Sequence, residues 1–469
     1  MADRQGISLV RSIINRLLNS PVRVFALVLG VYLVASFFSV NVRPATPLPA
    51  DHALRYKNNY WVIVSLPRIL RGDEMYYLMM THSLAGDGDL LLSDEYRAAY
   101  QGGPQLGVYH RGTVPGNFFQ HFGRDSSFTL LGKHPFGLSL FLSGVLWPLA
   151  DTFALESAAI WFTCLVGALG VIVFLRILLH LGITRPVARN AALVLAFASP
   201  WFSYSRTLYT EVYIGTAMLI VVYAVLCRRT PLVAPLLCLV GWFKYPALAL
   251  FFSAGAGEAL MRRWRGFIAF GLLGACTLAG VYAFNRWYFA ASGWVAQSSS
   301  ETLARSAARI GAPIAWIPGE ISTNLRRLLL DGDKGLLPHC PVLALGAIGL
   351  AGLRRVHRRA FWIIMVSLLP WFLVHISYQY LMTGASYSTR YMVPIVPLVL
   401  LGLPWFWART AAHYRYGRFL AGVGVVLVAA SLLNNVLAGL LPGTSFSHSP
   451  VEILQEWAAI LRAAVTGRY

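Results

Sequence analysis

The chain has 469 residues, 57% hydrophobic and only 12% charged, about half the charged share of an ordinary soluble domain. Apolar runs long enough to cross about 30 Å of hydrocarbon recur along its length, and a soluble fold could not bury them all. The net charge of +20 is spread over short clusters between these runs, which excludes a contiguous nucleic-acid-binding patch and points to loops facing anionic lipid.

In chain order, a basic stretch (Arg4, Arg11, Arg16, Arg23) precedes the first apolar run, Val24 to Val40. That run lacks a small-residue cleavage site and reads as a span, not a removed signal. The predicted spans are 24–41, 157–176, 190–205, 211–227, 232–243, 247–261, 267–285, 338–353, 361–378, 391–408 and 419–438. Eleven crossings place the N-terminus in the cytoplasm and the C-terminus outside. Further basic clusters follow at Arg176–Arg189, Arg228–Arg229, Arg262–Arg265, Arg354–Arg359 and Arg409–Arg418. With the first, they hold 19 of the 39 Lys and Arg residues but only two acids, Asp3 and Glu258. The positive-inside bias assigns them all to the cytoplasmic side.

Parity settles two ambiguous runs. Were Pro135–Ala150 to cross, Arg176–Arg189 would fall outside, so it is predicted to lie at the interface or re-enter. The run 232–261, broken at Lys244-Tyr245-Pro246, has basic clusters at both ends and must cross an even number of times. It reads as a hairpin of two short spans with Lys244 at the outer surface, where a charge needs a partner or must snorkel. Two outer loops result, 42–156 with interfacial helices and 286–337. The tail 439–469 ends in an amphipathic helix with a Ser449/Glu452 capping box and Ile453, Leu454, Trp457, Ile460 and Leu461 on one face, expected on the outer membrane surface or on the loops. The five cysteines show no metal spacing and no disulfide framework, and only Cys340 is expected to face outward. No internal repeat stands out.

The expected fold is therefore an all-α polytopic membrane bundle. Residues 1–438 form its transmembrane module. The chemistry-bearing residues gather on the outer side. Asp73 and Glu74 open a helix-like stretch just beyond the first span, as a general base or simply as acids favoured by a helix dipole. Glu211 precedes an apolar run, where an unpaired acid is costly, and Arg206 is a ready structural partner. Lys133, Lys244 and Arg390-Tyr391 lie on the same side. Each alone reads as a snorkelling residue, whereas together they suit a phosphate or diphosphate. His110 and His134 are accessory candidates without metal-ligand spacing.

In order, these motifs resemble GT-C glycosyltransferases of the protein mannosyltransferase and aminoarabinose transferase kind. Gly72-Asp73-Glu74-Met75-Tyr76-Tyr77 is similar to the Asp-Glu-aromatic opening of that family's first periplasmic loop, and Gly132-Lys133-His134-Pro135-Phe136-Gly137 to its Lys-Pro-Pro closure, with His134 in place of the first proline. Ala198-Ser199-Pro200-Trp201 through Glu211 resembles its Ser-Pro…Ser-Arg…acid turn, and Gly241-Trp242-Phe243-Lys244-Tyr245 its lysine hairpin. Asp333-Lys334-Gly335-Leu336-Leu337-Pro338-His339-Cys340-Pro341 resembles one span entry and Thr389-Arg390-Tyr391-Met392-Val393-Pro394 another. The ordered set covers roughly 70–400.

The resemblance implies a bacterial inner-membrane enzyme that takes a sugar from a polyprenyl-phosphate donor at the periplasmic face, inverting the anomeric carbon. Its acceptor would be a glycan, lipid or protein hydroxyl. Asp73 would be the base, with Glu74 and Glu211 orienting the acceptor or stabilising charge, and Lys133, Lys244, Arg390, Tyr391 and Arg206 would hold the donor phosphate. No cofactor is required; a Mg or Mn ion, where used, would fall to Asp73 and Glu211. A transporter or flippase for an anionic or lipid-linked substrate is the rival reading. A non-catalytic envelope-assembly partner is a second.

Overall fold

The computed structural model describes residues 20–43, 59–64, 73–92, 94–95, 135–150, 152, 154–289, 318–376, 388, 390–412, 416–440 and 449–466. Within these the architecture is overwhelmingly helical. Helix α1 (Pro21–Ser36) starts where the Ser20 hydroxyl accepts the Arg23 amide at 3.3 Å and Pro21 sits at the first turn.

The first span is shorter than expected. After Phe37 the chain leaves the helix, and β1 (Phe38–Arg43) pairs antiparallel with β2 (Asn59–Val64), Phe38 opposite Val64. Such apolar, β-branched and aromatic runs favour strands, and a short one cannot be told from the end of a span by pattern alone. The all-α expectation is corrected to that extent.

Beyond this hairpin come α2 (Asp73–Gly86) and α3 (Gly137–Leu146), the latter within the run 135–150. The two are tied together by Ser139, whose hydroxyl donates to the Tyr77 carbonyl at 2.9 Å. Then follow α4 (Ala154–His180), α5 (Arg185–Phe197), the single turn α6 (Trp201–Tyr204) and α7 (Thr210–Leu226). The predicted hairpin is α8 (Ala234–Gly241) and α9 (Ala249–Leu260), with Lys244 between them. Next are α10 (Trp264–Phe289), α11 (Pro318–Leu330), the short α12 (Leu336–His339), α13 (Val342–Val356) and α14 (Arg358–Ile376). A 3₁₀ turn at Arg390–Ile395 leads into α15 (Val396–Leu400) and α16 (Leu403–Ala412), and α17 (Gly417–Leu440) and α18 (Pro450–Thr466) complete the described chain.

Among the described residues, four helices (α4, α10, α14 and α17) are long and apolar enough to cross a membrane. A fifth candidate is the bent pair 390–400 and 403–410, which turns by 45°. Pro394, Pro397 and Pro404 remove amide donors in that stretch and account for the break. At about 1.5 Å per residue α4 reaches about 40 Å, ample for the hydrocarbon. Helices α10 and α17 expose Ile268, Leu272, Val425, Val426 and Leu433, whereas α7 is buried on nearly every position. The first two thus present apolar faces suited to lipid, and α7 is the core against which α4, α9, α14 and the 390–395 turn pack. The chain is a helical membrane protein.

Charged groups collect at two ends of the bundle. At one end the Arg263 guanidinium donates to the Arg228 carbonyl at 3.3 Å and pairs with Glu258 at 2.6 Å, so both basic clusters flanking the hairpin lie together. At the other end Glu211, Lys244 and Arg390 meet. Helix α18 carries the expected capping box: the Ser449 amide donates to Glu452 at 2.8 Å, and the Glu452 amide to the Ser449 hydroxyl at 3.3 Å. It docks on α17 through buried Ile453 and through the Trp457 indole, which donates to the Leu437 carbonyl at 3.1 Å. Leu454, expected on the same face, is exposed. Cys340 is buried, with its thiol on the Ala198 carbonyl.

Candidate functional site

Glu211 lies in the first turn of α7, and 1% of its side chain is exposed. Lys244 reaches it because the chain between α8 and α9 is extended at that residue, which ends one helix and aims the side chain at the neighbouring α7. Lys244 Nζ donates to Glu211 Oε1 at 2.8 Å, and Arg390 Nε pairs with the same oxygen at 3.3 Å. Thr210 adds a weaker bond from its hydroxyl to Oε2 at 3.4 Å. One carboxylate therefore gathers cations from two other chain segments.

Aromatic rings hold the cations in place. Lys244 Nζ lies 4.1 Å from the centre of the Tyr391 ring, and the Arg390 guanidinium lies 4.6 Å from Tyr209 and 5.0 Å from Tyr391. Tyr391 is itself fixed from behind. Its carbonyl accepts the Trp371 indole at 2.7 Å, and its ring stacks on His375, which is bonded to the Trp371 carbonyl. Lys334, between α11 and α12, is within electrostatic reach of Arg390 and Tyr391. Burial holds its ammonium below the usual lysine range, and Arg390 pushes the same way, partly offset by Asp331 and Asp333.

Glu74 approaches from α2. Its carboxylate is buried and accepts the Leu208 amide at 2.6 Å, three residues before Glu211. Asp73 opens α2, and its side chain lies outside the described set. Lys133, His134 and His110 also fall outside the described residues.

Thus Glu211, Lys244, Arg390 and Tyr391 come together, with Glu74 on the adjoining turn. Arg206 does not pair with Glu211. Its guanidinium donates to the carbonyls of Ala35, Gly439 and Phe202 and stacks on the Phe202 ring at 4.4 Å, tying α1 and α17 to the turn after α6. A divalent ion at Glu211 would meet two cations already on that carboxylate, an unfavourable arrangement. Tyr209, His375 and Lys334 join the site as well; in the sequence Lys334 lies in the Asp333–Pro341 motif and Tyr209 two residues before Glu211, whereas nothing in the apolar pattern marks His375.

No family model and no curated protein sequence matches the chain. Among solved structures it is similar to ArnT from Cupriavidus metallidurans bound to undecaprenyl phosphate, with 13% identity and a TM-score of 0.45 over 93% of this chain and 75% of that one. It is also similar to an Archaeoglobus fulgidus oligosaccharyltransferase tethered with an acceptor peptide containing the NVT sequon, at 10% identity and 0.45 over 91% of this chain and 56% of that one. Both likenesses are distant, and the functional reading rests on this chain's own residues.

Proposed function

We propose that the protein is a membrane glycosyltransferase of the GT-C kind that moves a sugar from a polyprenyl-phosphate donor to an acceptor hydroxyl at the periplasmic face. The observation that carries this reading is the convergence of Lys244 and Arg390 on Glu211, beside Glu74, at the end of the bundle opposite the arginine-rich turns. Phosphate oxygens can compete with the Glu211 carboxylate for those donors, and charge-assisted bonds of this type favour a leaving group that gains negative charge. The ordered motifs at 72–77, 132–137, 198–211, 241–245, 333–341 and 389–394 support the same assignment.

In the proposed reaction Asp73 takes the proton of the acceptor hydroxyl as its oxygen attacks the anomeric carbon. The bond to the phosphate oxygen breaks on the opposite face, with inversion, and the polyprenyl phosphate leaves with that electron pair. Lys133, Lys244 and Arg390 neutralise it, and Tyr391 holds the two cations that touch it. Glu74 and Glu211 set the geometry of the site, Glu211 by parking the cations before the donor arrives. The catalytic module is 1–438, with outer loops 42–156 and 286–337 covering the reacting centre, and 439–469 is a periplasmic tail.

The experiment is transfer by purified protein from polyprenyl-phosphate sugars, wild type against Asp73→Asn. Loss of transfer with donor binding retained is the expected result. Undiminished transfer removes Asp73 as base. Movement of intact donor across a sealed bilayer without sugar transfer replaces the reading with a flippase.

A further inference from the structure

At the far end of α2 from Glu74, about 20 Å along its fourteen residues, a second group of acids is gathered. Asp87, Asp94 and Glu95 each bring a carboxylate oxygen within 4.8 Å of the other two. Asp87 and Asp94 are exposed, whereas Glu95 is 2% exposed. Glu95 Oε1 meets His82 Nδ1 at 3.2 Å, and its other oxygen, Oε2, is buried with no hydrogen-bond partner. A buried carboxylate oxygen without a donor is costly and needs an explanation.

Around it the chain is already held in shape. The Ser83 hydroxyl donates to Asp89 Oδ1 and to the Asp89 carbonyl at 3.0 Å, and the Leu91 amide donates to Asp89 Oδ1 at 2.9 Å. The Tyr288 hydroxyl of α10 donates to the Leu90 carbonyl at 2.8 Å. These bonds fix the turn that follows α2, beside the three remaining carboxylates. Among the described residues no Lys or Arg pairs with any of them. An all-oxygen donor set suits a hard cation, and three protein carboxylates on one ion suit Ca²⁺, larger and flexible with six to eight oxygen ligands, better than Mg²⁺, smaller and usually held through one or two carboxylates with several waters.

We propose that Asp87, Asp94 and Glu95 form a binding site for a hard divalent cation, best fitted by Ca²⁺, that fastens the end of α2 to the segment at 94–95. His82 orients Glu95 through its ring nitrogen and leaves Oε2 to the ion, and water completes the coordination. The site is separate from the Glu211 centre and does not depend on the transferase reading.

The test uses the full chain in lipid nanodiscs, stripped with EDTA and titrated with CaCl₂ or MgCl₂, reading binding heat and the thermal midpoint. One equivalent of Ca²⁺ should bind, at roughly 10⁻⁴–10⁻³ M as in extracellular modules, and raise the midpoint. Asp87→Asn and Glu95→Gln should each weaken binding roughly tenfold or more. Should Glu95→Gln fail to fold, the exposed Asp87→Asn decides alone. Ca²⁺ binding unchanged in Asp87→Asn, or absent from the wild type at about 10 mM, overturns the site. Tighter binding of Mg²⁺ than Ca²⁺ overturns the size argument.

Discussion

Glu211 begins α7 with a carboxylate that is 1% exposed, and a buried charge of this kind persists only in company. Lys244, with 9% of its side chain exposed, is the nearer partner at 2.8 Å. Lys244→Met should therefore destabilise the protein by about 3 kcal/mol, reduced to the extent that Arg390 compensates. A double-mutant cycle with Glu211→Gln, read by thermal unfolding in nanodiscs, should give a coupling of about 0.5–3 kcal/mol. Additive losses would mean that the pair does not hold this end of the bundle together. If the same lysine meets donor phosphate, Lys244→Met also lowers sugar transfer more than Lys244→Arg does. The charges were legible in the sequence because each breaks an apolar run at its end. Their grouping around one oxygen was not, since it depends on how α7, the Lys244 turn and the 390–395 turn pack. Arg206 shows the converse. Its nearness in sequence to Glu211 suggested a pair, but the turn after α6 carries it to the carbonyls of Ala35 and Gly439 instead.

Between elements, α13 and the start of α16 come very close. A methyl group at Gly349 would overlap the Gly402 carbonyl, and one at Gly402 would overlap that of Gly346. Small residues let helix backbones meet at this range, where van der Waals packing drives association within a bilayer. Here the packing also positions the site, because Arg390 and Tyr391 lie one 3₁₀ turn and a short helix before Gly402. Gly349→Leu is expected to cost roughly 1–3 kcal/mol or more through overpacking, seen as a lower thermal midpoint and loss of monodisperse protein. Gly422→Leu on α17, where a side chain meets open space, is the matched change expected to be tolerated. A midpoint for Gly349→Leu equal to that of Gly422→Leu would show that the contact is not tight. Most helices were readable from apolar runs and basic punctuation, α8 and α9 on either side of Lys244 among them. The strand pair escaped because Phe38–Arg43 continues the apolar run of α1, and only pairing with residues sixteen or more positions away decides its conformation.

For the whole molecule, the structure gathers charges at two opposite ends, and membrane physics orients them. The turn between α13 and α14 carries Arg354, Arg355, Arg358 and Arg359, while the site end carries Glu211 with Lys244 and Arg390. Positive-inside bias assigns the first to the cytoplasm, since short basic loops resist translocation and anionic lipid attracts them. Helix α13 links the two ends directly: Gly332 lies shortly before it, beside Lys334, and Val356 closes it with 65% of its surface exposed. In a cysteine-free background, Gly332→Cys and Val356→Cys each place one thiol at an open position, with room around Gly332 for the side chain. A membrane-impermeant maleimide added to intact spheroplasts is expected to label Gly332→Cys and spare Val356→Cys until the membrane is opened. The reverse pattern would put the site on the cytoplasmic side, where a donor reached from outside could not be used. Labelling of both in sealed cells would mean that α13 and its neighbours do not span, and the assignment of this bundle end to the outer face would fall with it.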